Sequence, residues 1–256
     1  DAALDQIAGV SGPGSGRERA ALWRGLLARA TTQEQDFLAR LALGELRQGA
    51  LEGVLAEAVA RAAHLPADSV RRAAMLAGNL GHVARIALAE GAGGLSRFVI
   101  EPMRPLQPML ADAASGVDEA LGRLGDLSLE LKLDGARVQV HKRDDEVRVF
   151  SRQLREVTSA VPELVEVVRA LPARSLVLDG EVIALRPDGA PEPFQVTMRR
   201  FGRKLEVERM RAELPLTTFF FDCLLVDGET LIDEPQARRF DALVELAGAG
   251  LTVPHV

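Results

Sequence analysis

The chain has 256 residues, long enough for two domains, and 47% of them are apolar, enough for a packed core. One cysteine, Cys223, excludes an internal disulfide and fits a reducing compartment. No apolar run reaches membrane-spanning length and no basic-then-apolar leader opens the chain, so a cytoplasmic protein without a membrane partner is expected. The start at Asp1 rather than Met reads as a fragment or a processed chain. The net charge of −6 is uneven: residues 1–110 carry 12 Arg against 11 Asp and Glu, and the rest carries −7. That balance neither demands nor excludes nucleic acid, because clustered arginines and helix N-termini still grip phosphates.

Residues 9–16, rich in Gly and Ser, read as a loop and lack the Gly-Lys-Ser/Thr ending of a phosphate-binding P-loop. Thr31-Thr32-Gln33-Glu34 is a capping-box pattern, followed by Phe37, Leu38, Leu41 and Leu46 at roughly helical spacing. A second helix is predicted over 51–64, with Leu51, Val54, Leu55, Ala58 and Val59 on one face. Pro66-Ala67-Asp68-Ser69 opens a third, and Gly78 and Gly81 interrupt the helical pattern beyond it. Residues 1–100 thus read as an all-α domain. Pro102, Pro105 and Pro108 cannot be helix interior, and 101–108 reads as a stiff inter-domain linker.

Residues 109–256 alternate strands and helices. Strands are predicted over 127–133, 137–142 and 146–151, the last two joined as a hairpin at Asp144-Asp145. A helix follows over 162–170, a strand over 176–185, a short helix over 194–203, a strand over 217–226 and a helix over 238–247. Val253-Pro254-His255-Val256 reads as the start of another strand.

The chemistry concentrates at Lys132-Leu133-Asp134-Gly135-Ala136-Arg137. The chain has three lysines (Lys132, Lys142 and Lys204) against many arginines, and arginine cannot replace a lysine nucleophile because it does not lose its proton in proteins. Taken alone, the motif also fits a surface hairpin with a solvated lysine and arginine. His64, His82, His141 and His255 are scattered without metal-ligand spacing. Arg47, Arg71, Arg72 and Arg85 of the helical half could touch nucleic-acid phosphates, although surface arginines on helices are common.

The ordered company of this motif carries a resemblance. It runs from Glu130 through Arg137, then Val149-Phe150-Ser151-Arg152, Leu178-Asp179-Gly180-Glu181 and Phe219-Phe220-Phe221-Asp222-Cys223-Leu224-Leu225. Phe194-Gln195 with Arg199-Arg200 and Arg203-Lys204 adds a further segment. Together these resemble the nucleotidyltransferase domain of ATP-dependent DNA ligases. Gly44-Glu45-Leu46-Arg47-Gln48-Gly49-Ala50-Leu51 resembles the DNA-binding signature of the helical domain that precedes it.

The resemblance implies a multidomain α and α+β chain. An all-α DNA-binding domain (1–100) would be followed by a mixed, largely antiparallel, ATP-grasp-like nucleotidyltransferase domain (109–256). That second domain would be incomplete at its C-terminus and without the OB-fold, since the family's later Glu-Gly motif and lysine-containing strand do not follow Phe221 here. It implies a nucleoid-associated monomer that acts on nicked double-stranded DNA with ATP and Mg²⁺. Lys132 would attack the α-phosphorus of ATP, which requires a neutral amine. Arg137 and Arg152 would bind phosphate or ribose, Phe221 would stack on adenine, and Glu130 would accept a hydrogen bond from its 6-amino group. Glu181 would contact the ribose or help hold Mg²⁺, or be a structural acid at a strand end. Asp134 fits a turn residue as well as a substrate contact, and the Phe-Phe-Phe run fits core packing as well as stacking. RNA ligases, capping guanylyltransferases and NAD⁺-dependent ligases share the lysyl-nucleotide chemistry. A binding module for nicked duplex is the reading from another class.

Overall fold

The computed structural model describes residues 2–12, 14–43, 52–108, 113–124, 127–201 and 207–255. The chain forms two compact units, Asp1–Leu51 and Glu52–Val256. The first holds α1 (Ala2–Gly9), α2 (Ser15–Leu27) and α3 (Thr32–Leu43). The capping box ahead of α3 is formed: Glu34 Oε2 accepts from the Thr31 N–H at 2.8 Å, and Thr31 Oγ1 accepts from the Glu34 N–H at 3.3 Å. Phe37 and Leu41, expected to pack, are exposed. The segment 44–51, with Leu46 and Arg47, lies outside the described residues.

In the second unit α4 (Glu52–Ala62), α5 (Ala67–Ala77) and α6 (Leu80–Leu95) pack around Val59, Val70, Val83 and Ile86. The buried face of α4 is Ala56, Val59 and Ala60, while Val54 and Leu55 stay exposed, a rotation of the predicted stripe. Gly78 ends α5 in the left-handed region (φ 63°), and the Asn79 side chain caps α6 by accepting from the His82 N–H. Gly81 lies inside α6 and does not interrupt it.

The proline-rich segment is not where the two units divide. Leu106 is buried in one cluster with Leu76, Ile100, Val177, Leu224 and Leu225, so residues 100–106 pack on the sheet. Polar contacts fix the same stretch. The Leu106 N–H donates to Gln139 Oε1 at 2.7 Å, and the Met103 N–H donates to His141 Nδ1 at 3.0 Å. Prolines stiffened the backbone without exposing it. Beyond it, α7 (Val117–Leu124) has no sequence counterpart among the expected elements.

The sheet contains β1 (Ala136–Arg143), β2 (Glu146–Ser151), β3 (Ser175–Ala184), β4 (Leu216–Val226) and β5 (Glu229–Thr230) in the order β2-β1-β3-β4-β5, antiparallel throughout. One face carries Val138, Val140, Val149, Leu178 and Phe220 into the main core. That core is closed by Leu164 and Val168 of α8 (Pro162–Ala170) and by Phe240 and Leu243 of α11 (Gln236–Ala247). Between β3 and β4 run α9 (Phe194–Phe201) and α10 (Val207–Glu213). The predicted strand over 127–133 is not formed: Glu130 alone bridges His255, and Leu129 and Leu131 are exposed. Their alternation had no continuous partner strand to pair with.

Two buried cations tie elements together. Lys142 Nζ donates to the Arg169 and Leu171 carbonyls at 2.9 and 2.6 Å, satisfying the end of α8. Arg200, expected in the nucleotide segment, is buried; it pairs with Glu163 at 2.8 Å and donates to the Leu214 and Ala160 carbonyls. Among the described residues no helix is long and apolar enough to cross a membrane.

Candidate active site

The second face of the sheet changes character along its length, and the site follows from that change. The β1–β3 register sets His141 against Val177, Gln139 against Asp179 and Arg137 against Glu181. These cross-strand pairs point away from the main core. Val177 is sealed under Leu106. His141 is fully buried, hydrogen-bonded to Gln139, and desolvation pushes its pKa down to about 3. Asp179 is also buried, and its pKa is raised, chiefly by desolvation, against the pull of Arg137, whose Nη2 donates to Oδ2 at 2.9 Å. One step further along, Arg137 and Glu181 reach an open cleft of about 940 Å³.

All six sequence-predicted site residues, Lys132, Glu130, Arg137, Arg152, Glu181 and Phe221, line this cleft. Gly135 turns the chain from the Lys132 segment into β1. A Cβ there would stand 2.2 Å from Ile183 Cγ2 and 2.4 Å from the Val182 oxygen, so the close approach requires glycine. The same approach lets the Gly135 N–H donate to Glu181 Oε1 at 3.0 Å. Burial raises the Glu181 pKa; the Gly135 bond and the charges of Lys132 and Arg137 oppose it. Lys132 itself is exposed toward the cleft and makes no ion pair with a described residue.

Phe221 sits at a β-bulge. Gly180 pairs with Phe220 and Asp179 with Asp222, which leaves Phe221 as the extra residue of β4. Phe220 faces the core at zero exposure, whereas the Phe221 ring lies in the cleft with Arg137 Cζ 5.5 Å from its centroid. Asp222, next to it, is held by Arg239 Nε at 2.7 Å. Glu130 is not on a strand with Lys132 as expected, yet its backbone bridge to His255 still turns it into the cleft.

The tight turn after β2, with Leu154 at φ 59° and the Ser151 N–H bonded to the Arg155 carbonyl, brings Arg152 and Arg155 to the same rim. Arg155 was not singled out from sequence, although its spacing of three from Arg152 is visible there. Also missed was the apolar wall of Phe194, Met198 and Phe201 on α9; spacing of four and three is the signal that would have found it. Of the arginines considered for DNA, Arg71 pairs with Glu57 and Asp68, Arg72 pairs with Asp233, and Arg85 contacts His82.

Among the described residues no three His, Cys, Asp or Glu side chains cluster to hold a metal. Glu181 with Asp134 is a sparse carboxylate set. It fits Mg²⁺, which keeps several waters and takes one or two carboxylates plus phosphate oxygens.

A lysine facing arginines, carboxylates and an aromatic ring in one cleft coincides with what comparison finds. The family model described as ATP dependent DNA ligase domain matches residues 108–251, more than half of the sequence. The chain belongs to the ATP-dependent DNA ligase family. A second ligase model, DNA ligase N terminus, matches residues 1–60. A probable DNA ligase of Anaeromyxobacter sp. (strain Fw109-5) is 66% identical over all of this chain and 49% of its own length. One from Sorangium cellulosum (strain So ce56) is 58% identical over all of this chain and 48% of its own. The chain thus spans about half the length of the curated ligases it matches. Among solved structures, the ligase domain of M. tuberculosis LigD is 30% identical, with a TM-score of 0.39 over 50% of this chain and 39% of that one. A mycobacterial DNA ligase D complexed with ATP and MES is 27% identical, with a TM-score of 0.37 over 50% of this chain and 38% of its own.

Proposed function

We propose that the protein is an ATP-dependent DNA ligase that seals nicks in duplex DNA through a covalent AMP on Lys132. The observation that carries this reading is the convergence of Lys132, Arg137, Arg152, Glu181 and Phe221 on one cleft. The neutral Lys132 amine attacks the α-phosphorus of ATP. A P–N bond forms, the bond to the β-phosphate oxygen breaks, pyrophosphate leaves and the amine loses a proton. A 5′-phosphate oxygen at the nick then attacks the same phosphorus, and the Lys132 nitrogen leaves and regains a proton. Finally the 3′-hydroxyl attacks the 5′-phosphorus, closing the phosphodiester and releasing AMP.

Each side chain has a distinct task. Arg152 and Arg155 offer charge-assisted hydrogen bonds to phosphate oxygens at the rim. Arg137, anchored by Asp179, is the cation on the sheet that serves phosphate or ribose. Phe221 supplies the face for the base, and Glu130 accepts from the adenine 6-amino group. Glu181, oriented by the Gly135 N–H, serves the ribose or the metal. Mg²⁺, when bound, neutralises phosphate charge; Glu181 and Asp134 are the groups that would hold it. The partner is nicked double-stranded DNA, bound by a monomer through its backbone because sealing must occur at any sequence.

Intact-mass measurement after incubation of the full-length protein with Mg-ATP tests the reading. One added AMP is expected, and Lys132→Ala should abolish it; an adduct that survives the substitution overturns the assignment. Comparing nicked DNA with nicked RNA, and ATP with GTP and NAD⁺, separates the related nucleotidyltransferases.

A further inference from the structure

The base end of the cleft has two walls, Glu130 and Phe221, and one turn of α11 braces both. Gln236 and Arg239 stand three residues apart at the start of that helix and so share a face. Arg239 donates to both Asp222 oxygens, at 2.7 and 3.2 Å, which fixes the residue beside Phe221. Gln236 Nε2 donates to Glu130 Oε1 at 3.1 Å. Glu130 lines the cleft, and Gln236 is not among its lining residues.

What a carboxyl group reads depends on its state. Ionised, it only accepts hydrogen bonds; protonated, it also donates. A 6-amino purine presents a donor, a 6-oxo purine an acceptor, and unsubstituted purine neither. Partial burial and the neighbouring Asp222 charge push the Glu130 pKa up, toward the form that reads both; His255 and Gln236 pull it back.

We propose that Gln236 is a positioning residue for base selection: its amide holds Glu130 as an oriented acceptor, so that the cleft takes nucleotides bearing a 6-amino group. This rests on the reading of Glu130 given above.

The test uses the full-length protein and single-turnover transfer to Lys132 from ATP and from purine riboside triphosphate, which lacks the 6-amino group. Gln236→Ala should lower the preference for ATP about fivefold, the worth of one modest hydrogen bond, and leave transfer from the purine analogue unchanged. Glu130→Ala should lower the preference at least as far, and adding Gln236→Ala to it should cost nothing more. Gln236 is exposed, so melting should be unaltered. Equal loss on both nucleotides, or no loss of preference, in Gln236→Ala overturns the proposal. If Glu130→Ala collapses the preference while Gln236→Ala keeps it, only the role of Gln236 falls. If Glu130→Ala keeps the preference, the reading of Glu130 falls and this inference with it.

Discussion

Gly135→Ala should disable adenylation far more than it destabilises the fold. The Val182 oxygen, 2.4 Å from the added Cβ, must retreat by about 1 Å to reach ordinary contact at 3.4 Å, and Ile183 Cγ2 at 2.2 Å must retreat slightly further. Both belong to β3, so the strand and the turn move apart, and the bond from the Gly135 N–H to Glu181 opens from 3.0 Å toward 4 Å. Overpacking of this kind costs about 1–3 kcal/mol. For a unit of this size that lowers Tm by roughly 2–4 °C per kcal/mol. A displacement of about 1 Å next to the nucleophile costs on the order of a hundredfold in rate. Single-turnover labelling by ATP, read beside a thermal melt, measures both. Gly116→Ala is the control, because its Cβ meets nothing within 4 Å. Adenylation at the native rate in folded Gly135→Ala would refute the argument that this approach positions Lys132.

Other outcomes rest on the same sheet face. His141 should remain neutral well into acid: its folded pKa of about 3 lies below the unfolded value of 6.5. The unfolded chain therefore takes up the proton first, so this contribution is complete above pH 6.5 and fades as pH falls toward 3. By pH 5 the loss is about 2 kcal/mol at ~1.4 kcal/mol per pH unit. Imidazole NMR signals that titrate near 6.5 in the folded protein would contradict it. Asp179→Asn should destabilise by about 3 kcal/mol in urea unfolding, at the low end for a broken buried pair because Arg137 reaches the cleft. It should also slow adenylation, and unchanged kinetics would show that the pair does not orient Arg137. Phe221→Leu should raise the KM for ATP about fivefold, from a lost stacking contribution of about 1 kcal/mol, with little change in Tm because the ring lies outside the core. A stability loss without a KM effect would assign the ring to packing.

Much of this was legible in the sequence because its signals are local. Pro162 opens α8 at the predicted residue, and β2 spans the predicted 146–151. The site was legible because its motifs sit on β1, β3 and β4, which are direct neighbours, so Arg137 and Glu181 fall opposite each other. What the sequence hid depends on partners distant along the chain. Strand alternation already sets Phe221 opposite Phe220, but it does not reveal the bulge that brings the next residue, Asp222, opposite Asp179. Nothing distinguishes Arg199 from Arg200 until Glu163 arrives beside the second. The prolines at 102, 105 and 108 suggested a stiff inter-domain linker, but burial of Leu106 depends on Val177 and Leu225, distant along the chain.

The placement of Lys142 has a practical corollary. Its amine is occupied by two carbonyls at the end of α8 and the residue is only 5% exposed, whereas Lys132 opens to solvent. Mild amine-directed reagents applied to the folded protein should therefore modify Lys132 and spare Lys142. A peptide map of the two lysines then carries its own internal reference: protection of Lys132 reports occupancy of the cleft, and labelling of Lys142 reports unfolding.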